Sequence, residues 1–285
     1  MLPIGRILVP VDFSERCLKM MPYVRQFAAK YQSEVILLHV LNPVYTIPET
    51  GISGAIAVPL PERVFKHNAE QLDGFATAEL AGLPVRRLLY EGNPETQIAE
   101  TAEAEDVQLL MMPTRGHGVF RTFLLGSITS KVLHDVPRPI LTGAHVNGHG
   151  TGAVSTVACA IDLGPQTNDV LAWAASLAID FEAKLAVVHA IPKLGSTPQG
   201  ADADLDPQAQ ETVRASLERL NDVPSKGVAV QIQEGEVADA VCSFSRSAGA
   251  DLLVIGRGSQ TGQNAKLRTN AYSIIRQSPC PVLSI

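Results

Sequence analysis

Short apolar runs alternate with longer amphipathic segments along almost the whole chain. The runs have the length of buried strands, and the longer segments have the spacing of apolar positions that is typical of helices. A recurring order of strand, helix and strand predicts parallel sheets, because parallel strands need a long crossover between them. The helix-like segments are 14–31, 61–81 and 94–104 in the first half of the chain and 165–181, 207–220 and 236–247 in the second half.

The second half of the chain repeats the pattern of the first. Because several matches in register indicate duplication of one structural unit, we predict two tandem α/β domains, each a doubly wound, five-stranded parallel sheet. We place the domains at 1–145 and 154–285, joined by a glycine-rich linker at 146–153. The matching segments are 7–13 with 157–163, 35–40 with 185–190, 90–92 with 233–235, and 137–141 with 279–283.

Composition supports two globular domains and argues against a nucleic-acid or membrane surface. Of the 285 residues, 46% are hydrophobic and 18% are charged. The formal net charge is -6 and no basic cluster occurs, so we expect no nucleic-acid binding. No apolar segment approaches the ~20 residues that span a membrane, and no signal peptide precedes the first strand, so we expect a cytoplasmic protein. We expect buried, reduced thiols at Cys17, Cys159, Cys242 and Cys280.

The clearest candidate for chemistry is a pair of segments that follows the apolar run 107–112. Glycines allow backbone amides to approach an anion closely, and hydroxyl residues at the start of a helix add donors at the positive end of the helix dipole. Together the segments predict a phosphate-binding site at the carboxyl end of a buried parallel strand. Their sequences are Met112-Pro113-Thr114-Arg115-Gly116-His117-Gly118 and Leu125-Gly126-Ser127-Ile128-Thr129.

The spacing of these residues resembles the signature of the universal stress protein family. Nine residues separate Gly116 from Gly126, and Ser127 follows, as in the family pattern Gly-x-x-Gly, nine residues, Gly-Ser/Thr. One position departs from the pattern, because the family's first glycine falls on Pro113, which has no amide hydrogen to donate. With its internal repeat, the chain resembles a tandem, two-domain member of this family over nearly its full length.

The resemblance implies a sheet with strand order 3-2-1-4-5 in each domain. In that order, the end of strand one, Pro10-Val11-Asp12, lies beside the end of strand four, Met112-Pro113. Ligands of open parallel sheets bind where the strand order reverses, outside the carboxyl ends of the strands. The resemblance therefore implies that the acidic side chain and the glycine segments lie together.

The resemblance also assigns roles to individual residues. Asp12 and the backbone around Val40 are expected to face adenine and ribose, and Arg115 and His117 to add positive charge or donors near the phosphates. The residues expected to hold the phosphates are Gly116, Gly126, Ser127 and Thr129. The full predicted set is Pro10, Val11, Asp12, Val40, Met112, Pro113, Thr114, Arg115, Gly116, His117, Gly118, Gly126, Ser127, Ile128 and Thr129.

Structural alternatives exist for some of these residues. Asp12 is also a favoured cap for the helix that follows, although Ser14 offers the same group. Gly116 and Gly118 could simply supply the positive φ of a turn. His39 and His189 occupy matching places in the two halves, and we expect them to pack rather than to catalyse.

Three functions follow from the resemblance and the residues. The first is a stress-response binding module that holds an adenine nucleotide, ATP before ADP or AMP, with magnesium as a further candidate. The second is a slow ATP hydrolase at the same site, in which Asp12 holds magnesium and His117 assists proton transfer, so enzymatic activity stays open. The third is a structural, partner-binding protein in which Pro113 has closed the site.

The second half keeps the strand-one aspartate as Asp162 but changes the loop. Arg268 stands where the first half has Gly126, so we predict a second domain that does not bind nucleotide. The alternative is that Arg268 itself binds an anion. The segment 282–285 ends the chain as a strand, and family members commonly pair through it, so we predict contact between the two copies as a pseudo-dimer and a homodimer as a further option.

Overall fold

The structure is a computed structural model that describes residues 2–46, 56–114, 125–143, 153–191, 211, 214–215, 228–258 and 265–285. The chain divides into two compact units. One contains the first repeat up to its fourth helix, and the other contains the last strand of the first repeat together with the second repeat.

The first repeat alternates strands and helices, as the hydrophobic pattern predicts. Four helices follow four of its strands along the chain, and a short antiparallel hairpin, β3 and β4, is inserted after β2. The elements are β1 (Arg6–Pro10), α1 (Glu15–Tyr31), β2 (Glu34–Leu41), β3 (Val44–Thr46), β4 (Ile56–Val58), α2 (Glu62–Gly74), β5 (Val85–Glu91), α3 (Pro94–Ala104), β6 (Leu109–Pro113), α4 (Ser127–Asp135) and β7 (Ile140–Gly143).

The strand order of the first repeat is β5-β2-β1-β6-β7, which is 3-2-1-4-5 when the hairpin is left out of the numbering. This confirms the order that the family resemblance implied. The strand β1 pairs in parallel with β2 and β6, and its residue Ile7 lies opposite Val35 on one side and Leu109 on the other. All three of these side chains are fully buried. Burial on both faces explains why these strands are uninterrupted apolar runs in the sequence.

The helix α2 is shorter than the pattern predicts. The amphipathic segment runs from 61 to 81, but the helix ends at Gly74 and residues 75–83 form turns. Phe75 has extended backbone angles that a helix cannot continue. The guanidinium of Arg87 on β5 donates to the carbonyls of Leu72 and Phe75, so it joins the end of the helix to the following strand. The amphipathic pattern alone, which continues to 81, does not predict this end.

The second repeat has the same order of elements. Its strands run β10-β9-β8-β11-β12 across the sheet, again 3-2-1-4-5. Of the predicted helix at 207–220, the structure describes only residues 211, 214 and 215, which are helical. The elements are β8 (Thr156–Ile161), α5 (Thr167–Asp180), β9 (Lys184–Ile191), β10 (Ala229–Glu234), α6 (Val237–Ser247), β11 (Leu252–Ile255), α7 (Ala265–Gln277) and β12 (Val282–Ser284).

The terminal strand β12 is paired on both sides. It lies parallel to β11 and antiparallel to β7, with Leu283 opposite Leu141 and fully buried. Two buried hydroxyls reinforce the antiparallel pair, because Thr142 donates to the Val282 carbonyl and Ser284 donates to the Ile140 carbonyl, each at 3.2 Å. The predicted use of this strand as a pairing edge is therefore observed within one compact unit.

We predict that Leu283→Ala lowers the free energy of unfolding by about 2–5 kcal/mol, because it leaves a cavity in a fully packed strand. Urea-induced unfolding followed by circular dichroism measures this change. The control is Leu18→Ala, the same substitution at a side chain that is 37% exposed on α1, which should cost much less. Equal costs for the two variants would contradict the burial of β12.

An ion-pair network at the amino-terminal side of the first sheet generates a second prediction. Arg86 on β5 donates to both carboxylate oxygens of Glu105, at 3.0 and 2.5 Å, and to Glu34 on β2 at 3.2 Å. The hydrogen bonds from Arg86 lower the pKa of the Glu105 carboxyl. A lowered carboxyl pKa contributes stability above the ordinary value of about 4.3, and this stability is lost as the pH falls through the lowered pKa.

We therefore expect Arg86→Gln to reduce the free energy of unfolding at pH 7 by at most about 1 kcal/mol, since the pair is partly exposed to solvent. The difference from the parent should shrink as the pH falls below about 4.3 and Glu105 becomes protonated. Urea midpoints measured from pH 7 to pH 3 test this, with Arg63→Gln on the exposed surface of α2 as the control. A difference that grows at low pH would contradict the assignment.

Candidate functional site

The carboxyl ends of β1 and β6 meet where the strand order reverses. From β1, the chain continues to β2 on one side, while β6 lies on the other side. This is the position at which open parallel sheets bind ligands. Pro10, Val11 and Asp12 lie at the end of β1, and Met112 and Pro113 lie at the end of β6, so the structure brings these predicted residues together.

Asp12 shapes the turn between β1 and α1. Its Oδ1 accepts a hydrogen bond from the Ser14 amide at 3.0 Å, and the intervening Phe13 has a positive φ of 61°. The cap of α1 is Ser14, whose hydroxyl oxygen accepts from the Cys17 amide at 3.2 Å. Capping is thus done by Ser14, and the half-buried Asp12 carboxylate stays at the carboxyl edge of the sheet.

His39 packs beside this turn. Its Nδ1 lies 2.7 Å from the carbonyl oxygen of Val11, and its ring centre is 4.3 Å from that of Phe13. The Phe13 ring also makes an edge contact with Phe75, at 5.6 Å between centres. A histidine that is engaged with a carbonyl and an aromatic ring positions the turn, which agrees with the packing role expected from the sequence.

The backbone of Val40 faces the open side of β2. Glu34 donates its amide to the carbonyl of Gly5, and Leu38 accepts from the amide of Val11 at 2.8 Å, so the even-numbered residues of β2 bond toward β1. The register of β1 with β2 ends at Pro10 opposite Leu38. Because peptide groups alternate along a strand, those of Val40 point to the side where β1 has already ended. The amide and carbonyl of Val40 can therefore form hydrogen bonds with the edge of a flat heterocycle.

Hydrogen bonds join the amino terminus of α4 to the end of β6. Gly126 is the N-cap, has extended backbone angles and makes no side-chain capping hydrogen bond. Its amide donates to the Thr114 carbonyl at 2.9 Å, and the buried Thr129 hydroxyl donates to the Pro113 carbonyl at 3.2 Å. These two bonds hold the positive end of a nine-residue helix at the carboxyl edge of the sheet.

The first turn of α4 carries the expected phosphate donors as main-chain amides. The amides of Ser127, Ile128 and Thr129 belong to the first turn, where no intrahelical acceptor exists. Ser127 and Ile128 are exposed, whereas the side chain of Thr129 is buried and its hydroxyl is engaged with Pro113. Thr129 therefore offers an amide rather than a hydroxyl. The predicted residues Arg115, Gly116, His117 and Gly118 lie outside the described residues.

The second repeat builds the same strand-one turn. The Asp162 carboxylate accepts from the Gly164 amide at 2.8 Å, Leu163 has a φ of 59°, and His189 Nδ1 lies 2.9 Å from the carbonyl oxygen of Ile161. These contacts match those of Asp12, Phe13 and His39. The turn is thus a property of the duplicated unit and does not by itself indicate a ligand.

The helix after the loop differs between the repeats, and sequence reasoning missed this difference. When 137–141 is matched with 279–283, Thr269 corresponds to Ser127, the first residue of α4. The helix α7 begins at Ala265, four residues before Thr269. The amides that match the first turn of α4 are therefore inside a helix, where they bond to preceding carbonyls. The second repeat therefore does not present at this place the terminal amides that α4 presents, and its lack of nucleotide binding stays a prediction.

A second difference involves Gln166, which no sequence motif pointed to. Its Oε1 accepts a hydrogen bond from the Gly258 amide at 2.8 Å, and it would lie 3.2 Å from a Cβ placed on Gly256. Gly256 occupies the position of Pro113, because β8 and β11 have the register of β1 and β6. A side chain of the protein thus uses a loop amide in the second repeat.

Metal binding and thiol chemistry are the other functions that side chains in the described parts of the chain could carry. There, no group of three histidine, cysteine or carboxylate side chains is placed to hold a metal ion. All four cysteines are free and buried. Burial raises the pKa of Cys17 and Cys280 to about 12 and that of Cys242 to about 11, and it raises the pKa of Cys159 as well. The thiols therefore stay protonated at neutral pH.

Within the described ranges, none of the helices combines the length and the apolar character that crossing a membrane requires.

Comparison with known proteins identifies relatives of both repeats. The model of the universal stress protein family matches residues 3–142 and again residues 154–285. Universal stress protein MJ0577 from Methanocaldococcus jannaschii is 27% identical over 149 residues, which cover 48% of this chain and 92% of that protein. A universal stress protein from Thermus aquaticus is 27% identical over 138 residues, covering 47% of this chain and 95% of the relative.

Solved structures share the fold over nearly the whole chain. The crystal structure of a universal stress protein from Archaeoglobus fulgidus superposes with a TM-score of 0.70 at 23% identity, covering 98% of this chain and 95% of that one. A functionally unknown protein from Pseudomonas aeruginosa gives a TM-score of 0.64 at 17% identity, with coverages of 99% and 92%. At these identities the similarity establishes the fold alone.

We predict that Thr129→Val lowers the free energy of unfolding by about 1–3 kcal/mol, because it takes a donor from the Pro113 carbonyl in a buried place. Thr129→Ser, which keeps the hydroxyl, is the control and should recover part of that loss. Urea unfolding of the two variants measures the difference. If the Thr129→Val protein were as stable as the parent, the hydrogen bond between α4 and β6 would not help to hold the start of α4 in place.

Proposed function

The chain belongs to the universal stress protein family, and from this premise we propose that its first repeat binds an adenine nucleotide, ATP before ADP or AMP. The ligand lies outside the carboxyl ends of β1, β2 and β6, with its phosphates at the start of α4. Binding serves regulation, as a module that responds to nucleotide and passes the change on to a partner. This function needs no turnover.

The observation that carries the proposal is the uncapped start of α4 beside the end of β6. A helix start with free amides and an aligned dipole is a ready anion site. Gly126 supports this use, because it makes no side-chain capping bond and has no side chain that would keep a phosphate away. The hydroxyl of the exposed Ser127 is an additional donor.

The nucleoside half of the ligand is supported by two neighbouring groups. The peptide groups of Val40 face the side of β2 where β1 has ended, and an adenine edge offers the matching donor and acceptor. The Asp12 carboxylate at the end of β1 accepts hydrogen bonds of the kind that ribose hydroxyls donate. Adenine, ribose and phosphates would therefore follow the sheet edge from β2 across β1 to α4.

Pro113 modifies this site without removing it. It contributes no amide, so the phosphates depend on the first turn of α4. The carbonyl of Pro113 accepts a hydrogen bond from the Thr129 hydroxyl, so the proline helps to position the first turn of α4. We infer that affinity for nucleotide is set at α4.

The donor set suits phosphate better than a resident metal ion. Asp12 is one carboxylate, and among the described residues it belongs to no group of three or more histidine, cysteine or carboxylate side chains that could hold a metal ion. Magnesium would accordingly arrive with the phosphates, which supply most of its ligands. In that complex, Asp12 would be the chain's own contribution to holding the ion.

We predict that ATP raises the melting temperature of the parent protein and that Gly126→Arg abolishes this shift while the fold stays intact. A ligand that binds only the native state at one hundred times its dissociation constant stabilises it by about 2.7 kcal/mol. The arginine places in the first repeat the residue found at 268 in the second. The matched control is Gly74→Arg, at an exposed glycine whose added Cβ meets nothing within 4 Å, and this variant should keep the shift.

The measurement is thermal unfolding with ATP, ADP and AMP, together with phosphate release over the same period. A Gly126→Arg protein that responds to ATP like the parent would refute the site. Phosphate release that disappears in Asp12→Asn, which keeps an acceptor for the Ser14 amide but removes the charge, would identify a hydrolase instead. A parent protein that none of the three nucleotides stabilises would favour the structural, partner-binding function.

A further inference from the structure

The second repeat contains a cavity at the carboxyl ends of β8, β9 and β11. Its volume is about 320 Å³, which is within the range of small-molecule sites. Helices α5, α6 and α7 close its sides. Most of the lining is apolar and includes Val170, Val241, Ile255, Ala271 and Ile274.

A buried hydroxyl at this cavity has no hydrogen-bond partner. Thr167, the first residue of α5, lines the cavity and is 5% exposed, and its Oγ1 is buried without a partner in the described structure. Buried polar atoms are nearly always paired, so an unpaired one requires an explanation. The matching residue of the first repeat is Cys17, whose thiol donates to the Pro10 carbonyl at 3.7 Å. The unpaired hydroxyl therefore belongs to the second repeat and not to the duplicated fold.

The surroundings of the cavity disfavour an anionic ligand. The amides that match the first turn of α4 lie inside α7, and the Gly258 amide is already bonded to Gln166. The site thus offers mainly apolar surface and the unpaired threonine hydroxyl, and the start of α5 at the cavity carries the acidic Asp169 in its first turn. The other polar residues of the lining are Asp162, Gln166, His189 and Asn270.

We propose that this cavity binds an uncharged, mainly apolar small molecule with one hydrogen-bonding group, and that the Thr167 hydroxyl makes that hydrogen bond. The proposal is independent of nucleotide binding in the first repeat. An apolar pocket with one or two well-placed polar groups is the usual composition of a small-molecule site. A ligand hydroxyl or amide would pair the Thr167 oxygen, which is otherwise a cost to the folded state.

The test titrates the full-length protein with 2-naphthol and follows the methyl resonances of Val241, Ala271 and Ile274 by NMR. We expect saturable shifts at these methyls. Thr167→Val should weaken 2-naphthol binding roughly fivefold, the loss of one net hydrogen bond, and should raise the melting temperature of the unliganded protein by removing an unpaired buried hydroxyl. The control is Thr142→Val, which removes a hydroxyl that is already bonded to Val282 and should leave 2-naphthol affinity unchanged.

Ala271→Met provides a second variant, since a longer side chain on α7 fills the cavity and should abolish binding. The absence of saturable shifts at the three methyls in the parent would overturn the proposal. So would equal 2-naphthol affinity in Thr167→Val and the parent, or displacement of 2-naphthol from these methyls by ATP. The methyls of Val11 and Met112 report ATP binding in the first repeat separately, so failure of one proposal is distinguishable from failure of the other.

Discussion

Parallel pairing of β1 between β2 and β6 is the constraint on which the rest of the first repeat depends. Parallel strands end at one edge of the sheet, so the turn after β1, the last residues of β2 and the start of α4 all meet there. The same pairing buries both faces of β1 and accounts for its apolar sequence. One hydrogen-bonding pattern thus produces both the core and the polar edge. The chemistry of the edge then depends on where each neighbouring element begins and ends.

The two repeats differ at this sheet edge by a small change in where one helix begins. Both keep the aspartate turn and the histidine that contacts it. In the matched sequence α7 begins four residues earlier than α4, so amides that are terminal in the first repeat are internal in the second, while the strand order is the same. The same strand arrangement therefore carries the terminal amides of α4 at its edge in the first repeat and an apolar cavity in the second.

Much of the fold could be predicted from the sequence. Buried parallel strands appear as apolar runs, and the matching segments of the two halves show that these runs belong to one repeated unit. The strand order itself came from the family resemblance, since local patterns do not encode which strands are neighbours. The end of α2 at Gly74 could not be predicted from the amphipathic pattern, which continues to 81, and the contact of Arg87 at that end comes from the following strand. Asp12 and the start of α4 could be predicted, because each belongs to a motif in the sequence. The hydrogen bond of Gln166 joins residues 92 positions apart, so no local pattern predicts it.

The antiparallel pair of β7 with β12 has a consequence for synthesis of the chain. Thr142 and Val282 are 140 residues apart, so the outer edge of β7 has no partner until nearly the whole polypeptide has been made. At bacterial or eukaryotic elongation rates this interval is on the order of ten seconds. During that time, a nascent first repeat presents an apolar edge strand at the ribosome, where it is a target for chaperones and for mispairing with neighbouring chains on the same polysome.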